Sequence, residues 1–253
     1  MNRTTFFAFA RKAPFGGSLW QSQVDGLNKI LDEWQARGLT DIRWLAYMLA
    51  TVFHETGGKM QPVREGGGEK YLKSKPYYPW VGEGLVQVTW EKNARKFGAT
   101  APGQLMTWPV ALKALFDGMI NGMFTGKKLA DYFNGSIDDP AGARRIVNGT
   151  DKAQLIASYH KNFLDAIIAS QDAVKAAEIE PEDAKPDDKP ASQSAMALLS
   201  TAAPAAAGVA LPALTGINNL YALVFMLVLL CVACGVGYMF LSGRFSVTKG
   251  KAL

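Results

Sequence analysis

Apolar residues recur at helical spacing through most of the first two thirds of the chain. Val24, Leu27, Ile30, Leu31 and Trp34 fall on one face of a helix, and Gly38 ends the pattern. Thr40 or Asp41 can cap the next run, in which Trp44, Leu45, Tyr47, Met48, Leu49, Val52 and Phe53 leave almost no polar side. Gly57 and Gly58 stop it just after Glu55. A helix apolar on most sides is predicted to be buried at the centre of a domain. Residues 66–84 break the period with Gly66-Gly67-Gly68 and Pro76-Tyr77-Tyr78-Pro79, and Leu85-Val86-Gln87-Val88 then alternates. This predicts loop and short strand, a segment suited to a cleft wall. Pro109 opens a helix through Phe124 and Pro140 a short one through Ile146. Thr150 or Asp151 caps the last helix, with Leu155, Ile156, Tyr159, Phe163 and Ile167 on one face. The expected fold class is mainly α with a small β/loop insertion, over residues 1–170.

The composition then changes. Residues 171–217 form an expected flexible linker. Between Asp172 and Lys189 it carries seven acidic residues against three lysines, with Pro181, Pro186 and Pro190 among them, and it continues as an Ala/Pro/Ser-rich stretch to Ala213. Leu220 to Leu241 is an uncharged apolar run, so residues 218–242 are expected to be a single transmembrane helix. Arg244, Lys249 and Lys251 have no acidic partner in the tail 243–253, which by the positive-inside rule should be cytoplasmic, with residues 1–219 on the periplasmic side. The N-terminal patch Phe6-Phe7-Ala8-Phe9 is interrupted at once by Arg11 and Lys12 and lacks the form of a signal peptide. Export would therefore use the C-terminal helix, and the alternative is a cytoplasmic domain awaiting release by a lysis partner. The two cysteines, Cys231 and Cys234, lie inside the apolar run and read as small packing surface.

Charge narrows the partners without choosing one. Residues 1–170 hold 21 Lys and Arg against 15 Asp and Glu, a net +6 within an overall +5. A basic domain suits an anionic polymer such as cell-wall glycan, nucleic acid or anionic lipid. The chemistry is more specific. Glu55 ends an apolar helix, where desolvation and the negative end of the helix dipole favour a protonated carboxyl. Such a group can deliver a proton to a leaving sugar oxygen while a second carboxylate or a held water completes the reaction.

Four motifs in order carry a resemblance. His54-Glu55-Thr56-Gly57-Gly58, Pro62-Val63-Arg64-Glu65, the Gly-x-Gly-x-x-Gln-x-Thr-Trp of Gly82 to Trp90 with Asn93 close behind, and Arg145-Ile146-Val147-Asn148-Gly149 look like the lysozyme-like catalytic domains of family 19 glycoside hydrolases. That family includes plant chitinases and phage endolysins. The resemblance covers residues 20–170 and implies a two-lobed lysozyme-like fold that hydrolyses β-1,4 linkages to N-acetylated sugars. Glu55 matches the family's general acid. Glu65 matches the second carboxylate, with Glu69 as a nearby rival, and Thr89 matches the hydroxyl residue that holds the attacking water. Gln87, Asn93 and Asn148 match substrate-side polar residues, and Tyr78, with Tyr77 and Trp90, is placed to stack on sugar faces or to pack in the core. One position departs: Glu83 stands where family members usually have arginine, and as a modulator it would raise the pKa of neighbouring carboxyls. A zinc peptidase is excluded, because Gly58 occupies the place of the second histidine of His-Glu-x-x-His.

The sequence thus predicts a membrane-anchored, peptidoglycan-degrading glycoside hydrolase of muramidase or endolysin type, needing no metal and no organic cofactor. Its expected partners are peptidoglycan glycan strands, the lipid bilayer, and lysis or virion proteins, with no nucleic acid. The rival is a weakly active or inactive muramidase-like scaffold that only binds the wall, and Glu83 is its main support.

Overall fold

The computed structural model describes residues 1–187. The fold is mainly helical: α1 (Arg3–Lys12), α2 (Gln21–Ala36), α3 (Ile42–Glu55), α4 (Gly68–Lys73), α5 (Glu91–Lys96), α6 (Trp108–Ile120), α7 (Ala153–Ala169) and α8 (Ala173–Ala177). Short 3₁₀ turns lie between several of them. Asp41 caps α3, its side chain accepting from the Arg43 backbone N–H at 3.1 Å. Along α3, Leu45, Ala46, Met48, Leu49, Ala50 and Val52 are wholly excluded from solvent. The predicted central helix is therefore observed, and it packs along α7, which also takes α1 against it. Phe53 at the far end of α3 meets Phe15, Tyr159 and Phe163 edge-on.

Several elements differ from their sequence patterns; the helix expected from Pro109 through Phe124 ends at Ile120. The expected face of α7 included Leu155, which instead is exposed; Ile156, His160, Phe163, Ala166 and Ile167 form the buried stripe. The helix starts one or two residues later than expected because Lys152 takes a left-handed conformation, φ 59°. The alternating Leu85 to Val88 segment is a tight turn rather than a strand. Gly84 and Gln87 have φ of 88° and 52°, which folds the chain back so that Glu83 and Val88 exchange both backbone hydrogen bonds. The two-stranded ladder lies just before it: β1 (Val63–Arg64) pairs antiparallel with β2 (Glu83–Gly84), Val63 opposite Gly84 and Arg64 opposite Glu83.

The N-terminal end lies within the fold, and the boundary at 170 needs correction. The N-terminal apolar patch is α1, capped by Asn2, with Phe6, Phe7, Ala8 and Ala10 in the core. The segment beyond 170, expected as a solvated linker, folds back onto α1 through Asp187. Asp172 caps α8, and a 3₁₀ turn at Pro181–Ala184 packs on α1. Arg11 is the clamp. Its guanidinium pairs with Asp187 at 2.6 Å and donates to the carbonyls of Asp183, Lys185 and Gly17. Asp187 also accepts from the Leu19 backbone N–H at 2.7 Å. Acidic composition alone reads as solvated, and a cation this distant in sequence cannot be seen from it. The expected transmembrane helix at 218–242 and the tail at 243–253 lie outside the described residues. Among the described residues no helix is long and apolar enough to cross a membrane.

Two expectations follow. Arg11→Ala should release residues 173–187, seen as faster cleavage of that segment in limited proteolysis while the α3–α7 core stays resistant. The second concerns His160, which is 3 % exposed, stacks on Phe133 at 5.3 Å and has no partner for Nε2. Burial holds its pKa below the ordinary 6.5, although Asp138 and Asp41 oppose this. The unfolded chain therefore takes up a proton that the fold refuses, so stability is full above about pH 6.5 and falls as the pH drops below it, by at most about 1.4 kcal/mol per pH unit. Denaturant midpoints between pH 7.5 and 5 should show that slope, and His160→Phe should remove most of it. The remainder belongs to His54, which burial shifts in the same direction.

Candidate active site

Glu55 is the last residue of α3, and the turn after it is tightly built. The Thr56 hydroxyl donates to the Val52 carbonyl at 2.7 Å and accepts from the Met60 N–H at 3.1 Å, while Gly57 and Gly58 supply φ of 59° and 77°. Glu55 is thereby aimed at a 3₁₀ turn, Gly142–Ile146, which Asp139 starts by accepting from the Gly142 N–H. A Cβ on Gly142 would collide with the Asp139 carboxylate and displace it from its bond to the Gly142 N–H. The turn sends Arg144 inward and Arg145 outward. Arg144 donates to Glu55 Oε1 at 2.7 Å and, through Nε, to the Asp151 carbonyl at 3.1 Å. The side chains are 4 % and 16 % exposed, so this ion pair is largely dry. Glu55 Oε2 has no protein partner among the described residues.

Arg144 is the residue that sequence reasoning missed. Its signal was the arginine pair at 144–145, from which the motif reading took only Arg145 to Gly149. Of the two carboxyls, Arg144 pairs with Glu55 alone. The same pocket of charge and burial raises the Tyr47 phenol above its ordinary range, mainly through desolvation.

A second cluster forms around Glu65, immediately after β1. Its backbone N–H donates to the Gly82 carbonyl at 2.6 Å, which extends the ladder by one residue. The Tyr77 hydroxyl donates to Oε1 at 2.8 Å and the Gly82 N–H to Oε2 at 2.9 Å, so both carboxylate oxygens are held. A Cβ on Gly82 would crowd Glu65 and the Gln87 amide oxygen, at 3.4 and 3.0 Å. The hydrogen bond to Glu65 raises the Tyr77 phenol to about 12, which keeps it a proton donor. The rival Glu69 is exposed and ion-paired with Arg64, whose cation holds its carboxyl below the ordinary range. Adjacent strand residues face opposite ways, so Arg64 and Glu65 project to different sides of the ladder.

The other expected site residues have identifiable duties. Gln87 donates to the Val63 carbonyl at 2.9 Å and the Gly84 carbonyl at 3.4 Å, bracing the hairpin, with its oxygen toward Gly82. Thr89 donates to the Gln87 carbonyl at 3.2 Å, and Asn93 to the Thr89 carbonyl at 2.9 Å. Tyr78 is exposed. Asn148 is exposed and turns back to accept from the Gly149 N–H, closing its own turn. Glu65, Gln87, Thr89 and Asn93 are thus joined through one hairpin, and Glu55 and Arg144 form a separate group. No hydrogen bond or ion pair links the two groups among the described residues.

Glu83, expected as a modulator, lies on the face of the ladder away from Glu65. It sits on the Arg64 side of the ladder, 4 % exposed, and both carboxylate oxygens approach the Gly103 N–H at 3.1 and 2.9 Å. Burial raises its pKa, partly offset by Gly103 and by the charge of Arg64. A raised carboxyl favours the fold most below pH 4.5, and that contribution is lost as the pH rises through the folded value. Glu83→Gln keeps an acceptor for Gly103 without the charge, so at pH 7 it should leave the melting temperature unchanged or raise it by a few degrees. Glu83→Arg buries an unpaired cation and should lower it sharply, with no shift in any carboxylate-dependent pH profile. Thermal melts of both variants across pH 4–8 check this.

No protein-family model, curated protein or solved structure matches the chain.

Proposed function

We propose that residues 1–187 form a lysozyme-like, two-lobed glycoside hydrolase that cleaves β-1,4 linkages in peptidoglycan glycan strands, carried on a membrane anchor formed by residues 218–242. The observation that carries this reading is Glu55: a mostly buried carboxyl with one oxygen fixed by a buried guanidinium at 2.7 Å and the other unoccupied by protein. In the protonated state the proton sits on Oε2 while Oε1 still accepts from Arg144. Delivery of that proton to the glycosidic oxygen leaves a carboxylate, and the adjacent guanidinium favours the charge that develops. The second carboxylate is Glu65, which acts as base on water or balances positive charge at the sugar carbon. Tyr77 and Gly82 fix both of its oxygens, so its direction is set before substrate arrives. Thr89 keeps an acceptor lone pair free for that water, and Gln87 and Asn93 each retain an amide oxygen for substrate. The net positive charge on residues 1–170 draws the domain to an anionic wall polymer. The anchor keeps it within reach.

The scaffold reading rested on Glu83 disturbing the catalytic pair, and Glu83 faces Gly103 instead. Glu55→Gln keeps an acceptor for Arg144 but removes both the proton and the charge that balances the guanidinium. Dye release from purified cell wall should fall about a hundredfold or more in protein that still folds, with a melting temperature lowered less than in Glu55→Ala. Glu55→Ala would strand a buried cation and should also destabilise the fold, by about 3–5 kcal/mol. Glu65→Gln should match Glu55→Gln in lost turnover, and Glu69→Gln should stay near wild type. Full activity in a folded Glu55→Gln protein would refute the mechanism, and an inactive wild type would refute the function.

A further inference from the structure

Trp90 is placed against its own interests. Its φ is 75°, a left-handed conformation that a bulky side chain rarely adopts and that costs about 1–3 kcal/mol. The backbone is pinned there from both sides: its N–H donates to the Trp80 carbonyl at 3.0 Å, and its carbonyl accepts from the N–H groups of Asn93 and Ala94 at the start of α5. Glycine would hold this turn without strain. The chain instead carries a tryptophan that remains 44 % exposed, so core packing offsets only part of the strain. The indole meets Tyr77 edge-on, with ring centroids 5.6 Å apart and planes at 69°. The same Tyr77 donates its hydroxyl to Glu65. A rigid aromatic surface is thus coupled through one phenol to a catalytic carboxylate.

We infer that the exposed face of Trp90, backed by Tyr77, is a stacking platform for one pyranose ring of an N-acetylated β-1,4 glycan, seated next to Glu65. This rests on the glycoside hydrolase reading above. A pyranose presents C–H groups on its faces and hydroxyls around its rim, so a partly exposed indole beside a hydrogen-bonded phenol suits it. The Tyr77 ring fixes the tilt of the indole, and the Tyr77–Glu65 hydrogen bond fixes the carboxylate relative to the same ring. The sugar stacked on Trp90 and the carboxylate that acts on it are then held by a single side chain. Lys75 lies over the Tyr71 ring and Arg95 near the Trp80 ring, so those two neighbouring aromatic surfaces are partly occupied by cations. Among the described residues no cation lies over Trp90.

The test is titration calorimetry of a soluble β-1,4-linked N-acetylglucosamine oligosaccharide into detergent-solubilised full-length Glu55→Gln protein, which binds without turning over. Adding Trp90→Gly should weaken affinity about tenfold while the melting temperature holds or rises, because glycine relieves the strained φ. Trp90→Phe should retain more of the affinity than Trp90→Gly. Undiminished affinity in Trp90→Gly overturns the platform and leaves the hydrolase reading standing. So does a melting temperature that falls in step with affinity, which would assign Trp90 to packing. No binding by the Glu55→Gln parent would defeat the glycan reading itself, and the platform with it.

Discussion

The ion pair between Glu55 and Arg144 is the constraint on which the arrangement of this domain turns. Removing a carboxylate and a guanidinium from water costs several kcal/mol each, and only close approach with further hydrogen bonds offsets it. The structure meets those terms from three directions. α3 delivers Glu55 at the end of a helix with no freedom to move, because six of its side chains are wholly buried. The 3₁₀ turn at Gly142–Ile146 delivers Arg144, and the carbonyl of Asp151, just before α7, takes a second donor of the guanidinium. Since α7 is the main partner of α3, the packing of two long helices sets the position of the pair. A shift of either helix would strand a charge, which makes the pair a check on the register of the core as well as a chemical group.

The hairpin works on a different principle, that of strand parity. Arg64 and Glu65 are neighbours, yet the alternation of a strand sends one toward Glu83 and Glu69 and the other toward Gly82 and Tyr77. This single alternation separates a structural set of charges from the set proposed to act on substrate. It also explains why an acid is tolerated at position 83. On the Glu65 side a third carboxyl would repel the pair, whereas on the Arg64 side it finds a backbone N–H and a cation at a distance.

What the sequence disclosed divides along the same physical lines. Helices whose signals are local were legible: α2 by its apolar stripe, α3 by Asp41 and its uninterrupted apolar face, the start of α6 by Pro109. Glu55 and Glu65 could be singled out because each sits in a short motif. What escaped depends on partners distant in sequence. Arg11 and Asp187 are 176 residues apart, so the docking of 173–187 had no local sign. Arg144 and Glu55 are 89 residues apart, and only the handedness of a 3₁₀ turn decides which of two adjacent arginines points inward. The surroundings of Glu83 escaped for a related reason: it was singled out by its place in the motif, and the N–H that receives it belongs to Gly103, twenty residues on.

The two carboxyl groups are supported by elements of unequal rigidity, and on the proposed reading this division is functional. A proton donor must keep one geometry through the reaction, because misplacing it by about an ångström is costly in rate, and Glu55 is fixed by the core. A glycan strand arrives with variable substituents and must be admitted along its length, which a wall built only of core elements would resist. The hairpin that carries Glu65 has a partly exposed carboxylate, an exposed tryptophan and a loop of glycines before it, yet its hydrogen bonds to Tyr77, Gly82 and Gln87 keep its internal geometry fixed. The relation between Glu65, Tyr77 and Trp90 is thus set within the hairpin itself. The rigid half then defines where the proton is delivered, and the hairpin half defines which sugar is brought to it.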